Sequence, residues 1–186
     1  MMVLKVQELK GEYPGTGVMV SQRYFAVTRG SAVGTNKLMN CLGIVMHNKI
    51  HNVGAVAHVE AREEEAYKVD IQRTVSMMIE AINGITEMRG FLEVVLLGNA
   101  GGSESMASAL ESILMNTGAL RIHPLLILDL RNKTGHKAGR ATSEVNGVFG
   151  GCVYEPGNER VWLLPPLKVV ATSSQRPKDV KIFKCQ

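Results

Sequence analysis

The stretch from Cys41 to Val59 constrains the fold of this chain more than any other. Cys41-Leu-Gly-Ile-Val-Met46 is apolar, His47-Asn-Lys-Ile-His-Asn52 is polar, and Val53-Gly-Ala-Val-Ala-His-Val59 is apolar again. Two apolar runs of strand length around a short polar segment predict a β-hairpin. With the turn centred between Lys49 and Ile50, Met46 pairs with Val53, Gly43 with Val56, and Cys41 with His58. Directly opposed residues of an antiparallel pair have Cβ atoms about 4.5–5.5 Å apart, within reach of a thiol–imidazole hydrogen bond. The turn starts at Asn48 and holds no glycine, so a slip of one residue stays open, and it would carry the partner to the other face.

Other elements follow from period and punctuation. Val3–Leu9 reads as a strand, Gly11–Gly17 as turns, Val18–Val27 as one strand or two short ones, and Arg29–Asn40 as a polar connection into Cys41. Glu63 to Glu65 place negative charge on a helix start, and Ala66, Val69, Val75, Met78, Ile79, Ile82 and Ile85 continue at helical spacing to about residue 88. Phe91–Leu97 is a strand, Gly98–Glu104 a tight loop, Ser105–Asn116 a second amphipathic helix, and Ile122–Leu130 a strand. Ser143–Phe149, Cys152–Glu155, Arg160–Leu164 and Val169–Ala171 complete the strands. Two helices against roughly eight strands predict an α+β fold. The 186 residues, 45% of them hydrophobic, suffice for one domain over 1–186 with a real core. Lys168, Arg176, Lys178, Lys181 and Lys184 make the stretch from about 168 read as a peripheral basic tail.

Composition excludes several classes. Aromatic residues are 5% of the chain, too few for the stacking platforms of single-strand binders, so no nucleic-acid partner is expected despite the net charge of +4. Cysteines at 41, 152 and 185 are odd in number and lack framework spacing, which argues for free thiols in a reducing compartment. No basic start leads into an apolar run, and no stretch has the length of a membrane-spanning helix. A cytoplasmic protein without membrane insertion is the default expectation, with secretion by a route needing no cleavable signal left open.

Cys41 and His58 are the candidate chemistry. A free thiol with a pKa near 8.5 is a weak nucleophile at neutral pH until a neighbouring imidazole takes its proton. Taken alone, however, the residues favour Cys41 as a small buried apolar side chain at a strand start. His47 and His51 fall in the expected turn, and no Cys-x-x-Cys or His-Glu-x-x-His spacing is present, so neither metal nor cofactor is expected. The loop Gly98 to Ser105 lacks the Lys-Ser/Thr ending of a P-loop and reads as a tight strand-to-helix connection. His123 opens a strand, His136 lies in a polar loop, and Cys152 and Cys185 have no base near them in sequence.

The stretch Thr35-Asn-Lys-Leu-Met-Asn-Cys41 through Val53-Gly-Ala-Val-Ala-His58-Val59 resembles the CheD family of chemoreceptor glutamine deamidases. Thr35, Cys41 and His58 meet that family's threonine, cysteine and histidine spacing. Weaker likeness extends to Tyr24-Phe-Ala-Val27, to Tyr67 and Asp70, to Ala100-Gly-Gly102 and to Thr134 through Arg140. The chain departs at Lys37-Leu-Met-Asn40, where the family is glycine-rich, and at Glu60-Ala61-Arg62, where it tends to Leu-Pro. The resemblance implies a layered, β-sandwich-like α+β core with flanking helices, shared with the catalytic domains of cytotoxic necrotizing factor toxins. It implies a protein-glutamine deamidase with Cys41 as nucleophile, His58 as base, Thr35 orienting the imidazole, and backbone N–H groups around Asn40 and Cys41 as oxyanion donors. The substrate would be a protein carrying a reactive glutamine, either a chemoreceptor or a host or competitor protein. Two alternatives stay open: a CheD-like binding and regulatory module without catalysis, and a transglutaminating toxin or effector with the same Cys–His core.

Overall fold

The computed structural model describes residues 4–38, 40–86, 92–99, 120–122, 126–128, 149–166 and 168–186. Its strands are β1 (Lys5–Glu8), β2 (Val18–Val20), β3 (Tyr24–Thr28), β4 (Val33–Thr35), β5 (Leu42–Asn48), β6 (Val53–Val59), β7 (Leu92–Asn99), β8 (Leu120–Ile122), β9 (Leu126–Leu128), β10 (Gly151–Glu155), β11 (Arg160–Leu164) and β12 (Val180–Lys184). One α-helix, α1 (Glu64–Thr86), is found among the described residues. The fold is mixed α+β and mostly sheet. A smaller sheet runs β1-β11-β10-β4-β2, and a larger one runs β12-β3-β6-β5-β7-β8, with β9 also paired to β7.

Alternation along the strands explains the layering. Phe25, Ile44, Met46, Ala55, Ala57, Val94 and Leu96 point from the larger sheet to α1, and meet Tyr67, Ile71, Val75, Met78 and Ile82. Ala26, Val45, Val56 and Val95 point the other way, onto Val33, Cys152, Tyr154, Val161 and Leu163 of the smaller sheet. The β5–β6 hairpin is therefore buried on both faces, at the centre of a helix–sheet–sheet stack.

The hairpin exists as expected, but its register is shifted by two residues: Gly43, not Cys41, stands opposite His58, and Met46 pairs with Ala55. The cause lies in the turn. Asn48 closes the ladder against Val53, and its Oδ1 accepts hydrogen bonds from the N–H groups of Ile50 (3.0 Å) and His51 (3.3 Å). Asn52 takes the left-handed conformation at φ 51°, so four residues make the turn. A shift of two preserves every side chain's face.

Three further expectations change. The connection Arg29–Asn40 contains β4, which ends at Thr35 and pairs with β10. Val169–Ala171 is not a strand, although Val170 is buried. The stretch from about 168 is not a peripheral tail, because β12 forms an edge of the larger sheet against β3 and Phe183 stacks on Phe25. Lys181 and Lys184 belong to this edge strand, where charge blocks pairing with another chain. The expected helix Ser105–Asn116, the loop Gly98–Ser105 beyond Asn99, His123, the loop bearing His136, and Ser143–Phe149 up to residue 148 lie outside the described residues.

Candidate functional site

His58 points from β6 into the layer between the sheets, where Thr35 at the end of β4 meets it. The Thr35 Oγ1 lies 2.7 Å from His58 Nδ1 and 3.0 Å from the Val20 carbonyl oxygen. A hydroxyl has one hydrogen, and a carbonyl only accepts, so the Thr35 hydrogen goes to Val20. His58 Nδ1 must then be the donor to Thr35, which leaves the lone pair on Nε2. Burial pushes the imidazole pKa down to about 4, against an opposing pull from Glu60, so the ring is neutral at neutral pH. Nε2 has no hydrogen-bond partner among the described residues. The result is a neutral, oriented base with its accepting nitrogen free.

Cys41 lies just before β5 and packs in the same intersheet layer as Val45 and Val56. Since Gly43 is the residue paired with His58, Cys41 stands one diagonal step from the imidazole. Diagonal neighbours are about 7–8 Å apart at Cα and somewhat less at Cβ, near enough for long side chains to meet. No thiol–imidazole hydrogen bond is formed in the resting chain. Burial and the charge of Glu60 raise the thiol pKa, while the backbone N–H groups of Ala61 and Asn40 oppose them by favouring the thiolate. Cys41 and His58 thus rest as neutral thiol and neutral imidazole.

Leu38, in the segment before Cys41, has a structural role. Leu38 is buried, its N–H bonds the Gly150 carbonyl at 2.8 Å, and its side chain lies over Gly43. Of the expected oxyanion donors, Asn40 is an exposed residue whose N–H acts on the Cys41 sulfur.

Two contacts of Cys41 had no sequence signal. Gln22 Nε2 lies 4.0 Å from the sulfur, and Ala61 offers its backbone N–H. The pairing of Tyr24 with His58 brings the turn around Gln22 to this end of the sheet. The rim is tied together by charge. Arg23 pairs with Glu60, and Arg62 with buried Asp70 at 3.0 Å. The Gln186 side chain accepts from the Glu60 N–H (2.7 Å) and donates to the Glu60 carbonyl (3.1 Å) and to Asp70 (3.0 Å). Tyr67, at the start of α1, is buried, and burial together with nearby Cys41 raises its pKa against the opposing Leu42 backbone N–H.

A second buried histidine corrects the sequence reading. His47 is in β5 rather than in the turn, and its Nδ1 lies 2.6 Å from the Tyr154 hydroxyl. His51 is in the turn. Among the described residues, no three His, Cys, Asp or Glu side chains gather as metal ligands, and no helix is long and apolar enough to cross a membrane. The chain matches no family model and none of the curated proteins with which it was compared.

Proposed function

We propose that this chain is a CheD-like cysteine amidohydrolase that converts glutamine side chains of a protein substrate to glutamate. The observation that carries this reading is the intersheet bond from His58 Nδ1 to Thr35 Oγ1, with the Thr35 hydrogen committed to Val20. It holds the imidazole in the tautomer a base needs, the third-member role of a catalytic triad. The Cys41 thiol gives its proton to His58 Nε2 as the sulfur attacks the glutamine amide carbon. The imidazolium then protonates the departing amide nitrogen, the C–N bond breaks, and ammonia leaves a thioester on Cys41. Water, losing a proton to His58, attacks the thioester, and the thiolate departs and regains that proton.

The substrate in this reading is a chemoreceptor or a host or competitor protein. Incubation of such proteins with the full chain, followed by ammonia assay and peptide mapping, tests it. Cys41→Ser and His58→Ala are expected to abolish ammonia release without unfolding the chain, and wild-type activity in either contradicts the assignment. A labelled primary amine incorporated in place of water identifies transglutamination. The unpartnered Nε2 and raised thiol pKa at rest also fit a regulatory module without catalysis. A Cys41 inert to thiol probes at neutral pH favours that reading.

A further inference from the structure

We infer that Gln22 is a side-chain oxyanion donor, its Nε2–H group binding the oxygen that becomes negative when Cys41 attacks a carbonyl carbon. The inference rests on the amidohydrolase reading of Cys41 and His58 and adds a residue to it.

The geometry begins with the 4.0 Å between Gln22 Nε2 and Cys41 Sγ. That is long for a bond to the thiol itself. It suits an oxygen carried on the carbon next to that sulfur, because oxyanion donors act at roughly 2.7–3.1 Å from the oxygen they stabilise. The Ala61 backbone N–H approaches the same sulfur, so a side-chain and a main-chain donor flank one reacting atom. On attack the sulfur–carbon bond forms, the carbonyl π pair moves to oxygen, and the Gln22 and Ala61 N–H groups meet the charge. When the C–N bond breaks, the carbonyl reforms and the donors are released.

The turn carrying Gln22 is held in a conformation that the chain would not otherwise favour. Arg23 has φ 73°, a left-handed conformation uncommon for a residue other than glycine. Its N–H donates to the His58 carbonyl (2.9 Å), and its own carbonyl accepts from the Cys185 N–H (2.8 Å). The Arg23 side chain pairs with Glu60, and the Tyr24 N–H donates to the Ser21 carbonyl at 3.3 Å. A strained residue pinned by β6, β12 and the 60–62 segment fixes the backbone of Gln22 beside Cys41, while the Gln22 side chain stays exposed and able to meet a substrate.

Two reactions of the same thiol separate this role from others. Acetylation of Cys41 by p-nitrophenyl acetate passes through a tetrahedral oxyanion, whereas alkylation by iodoacetamide does not. Both are followed on the full chain by mass of the Cys41 peptide. Gln22→Ala is expected to slow acetylation about 100-fold and to leave alkylation within about twofold, which also shows that the site is intact. Gln22→Glu, which replaces the donor with a carboxylate, is expected to slow acetylation at least as much. Acetylation of Gln22→Ala at the wild-type rate, or an equal fall in both reactions, overturns the assignment while leaving the Cys41–His58 reading in place. If Cys41 is acetylated as fast in His58→Ala as in the unaltered chain, the amidohydrolase reading falls and this inference falls with it.

Discussion

The layer between the sheets holds two histidines set into one hairpin by the same devices. His47 and His58 each face a glycine across the β5–β6 pair, Gly54 and Gly43 respectively. Each is buried, and each places Nδ1 on a hydroxyl of the smaller sheet, Tyr154 at 2.6 Å and Thr35 at 2.7 Å. In both, Nε2 lacks a partner among the described residues. Their surroundings differ. His47 is paired across β5–β7 with buried Glu93, whose carboxylate accepts the Leu4 N–H at 2.7 Å. His58 has a thiol one diagonal step away and, beyond it, the exposed turn at Gln22. A buried imidazole on a hydroxyl is by itself a polar rivet between sheets. In the proposed reading, the thiol one diagonal step from the His58 imidazole, at the end of the sheet where Gln22 is exposed, distinguishes this unit from that of His47.

Substitutions that act on one histidine and not the other test that difference. His58→Ala is expected to slow reactions of the Cys41 thiol by about 100-fold or more, the low end of what a positioned general base supplies, whereas His47→Ala changes them by less than about threefold. Equal losses in acylation kinetics would erase the distinction. Next come the facing glycines. A Cβ on Gly54 would stand 2.3 Å from both the Met46 carbonyl oxygen and the Tyr154 hydroxyl, so Gly54→Ala is expected to cost about 3 kcal/mol in urea unfolding. On Gly43 the closest atom is the flexible end of Leu38 at 2.8 Å, and Gly43→Ala should cost about 1–2 kcal/mol.

The pH dependence of stability has a definite sign. His58 titrates near 6.5 unfolded and at about 4 folded, so the unfolded chain binds the proton first as the medium turns acid. The His58 contribution is complete above pH 6.5 and is lost as pH falls through about 4, a change of about 3 kcal/mol. His58→Gln should remove that portion from urea midpoints measured across the interval. Burial lowers His47 too, against the pull of Glu93 and Glu159, so a slope of the same sign remains in the variant. A smaller effect than that of His58 concerns Thr35. Thr35→Val leaves a buried Nδ1–H unpaired at a cost of about 1–2 kcal/mol and frees the ring to turn, and Thr35→Ser should restore both stability and thiol reactivity.

The hairpin was legible in the sequence because both its runs are apolar and of strand length, and α1 because Val75, Met78 and Ile82 keep helical spacing on its buried face, although Val69, read as part of that face, is exposed. The register was not, because the side chain of Asn48 closes a longer turn than composition suggests. A usable signal was present all the same: pairing each histidine with a glycine, so that a large ring lies opposite an empty position, gives the observed register directly. Thr35 is singled out in sequence only by the resemblance to CheD proteins, since its three-residue strand lies in a polar, glycine-bearing run. Gln22 carries no local mark, because strand pairing far along the chain brings it to Cys41. The lysines of β12 hid an edge strand behind the look of a solvated tail.

Iodoacetamide alkylation of the three cysteines in the native chain, followed by peptide mass at neutral pH, tests the central claim most directly. Cys152 is sealed in the intersheet core, with burial pushing its thiol up to about 12 against a single opposing N–H, and it should stay unmodified. Cys41 is expected to react, and His58→Ala to slow it by about 100-fold. A Cys41 that reacts at the same rate with and without His58 would contradict the account.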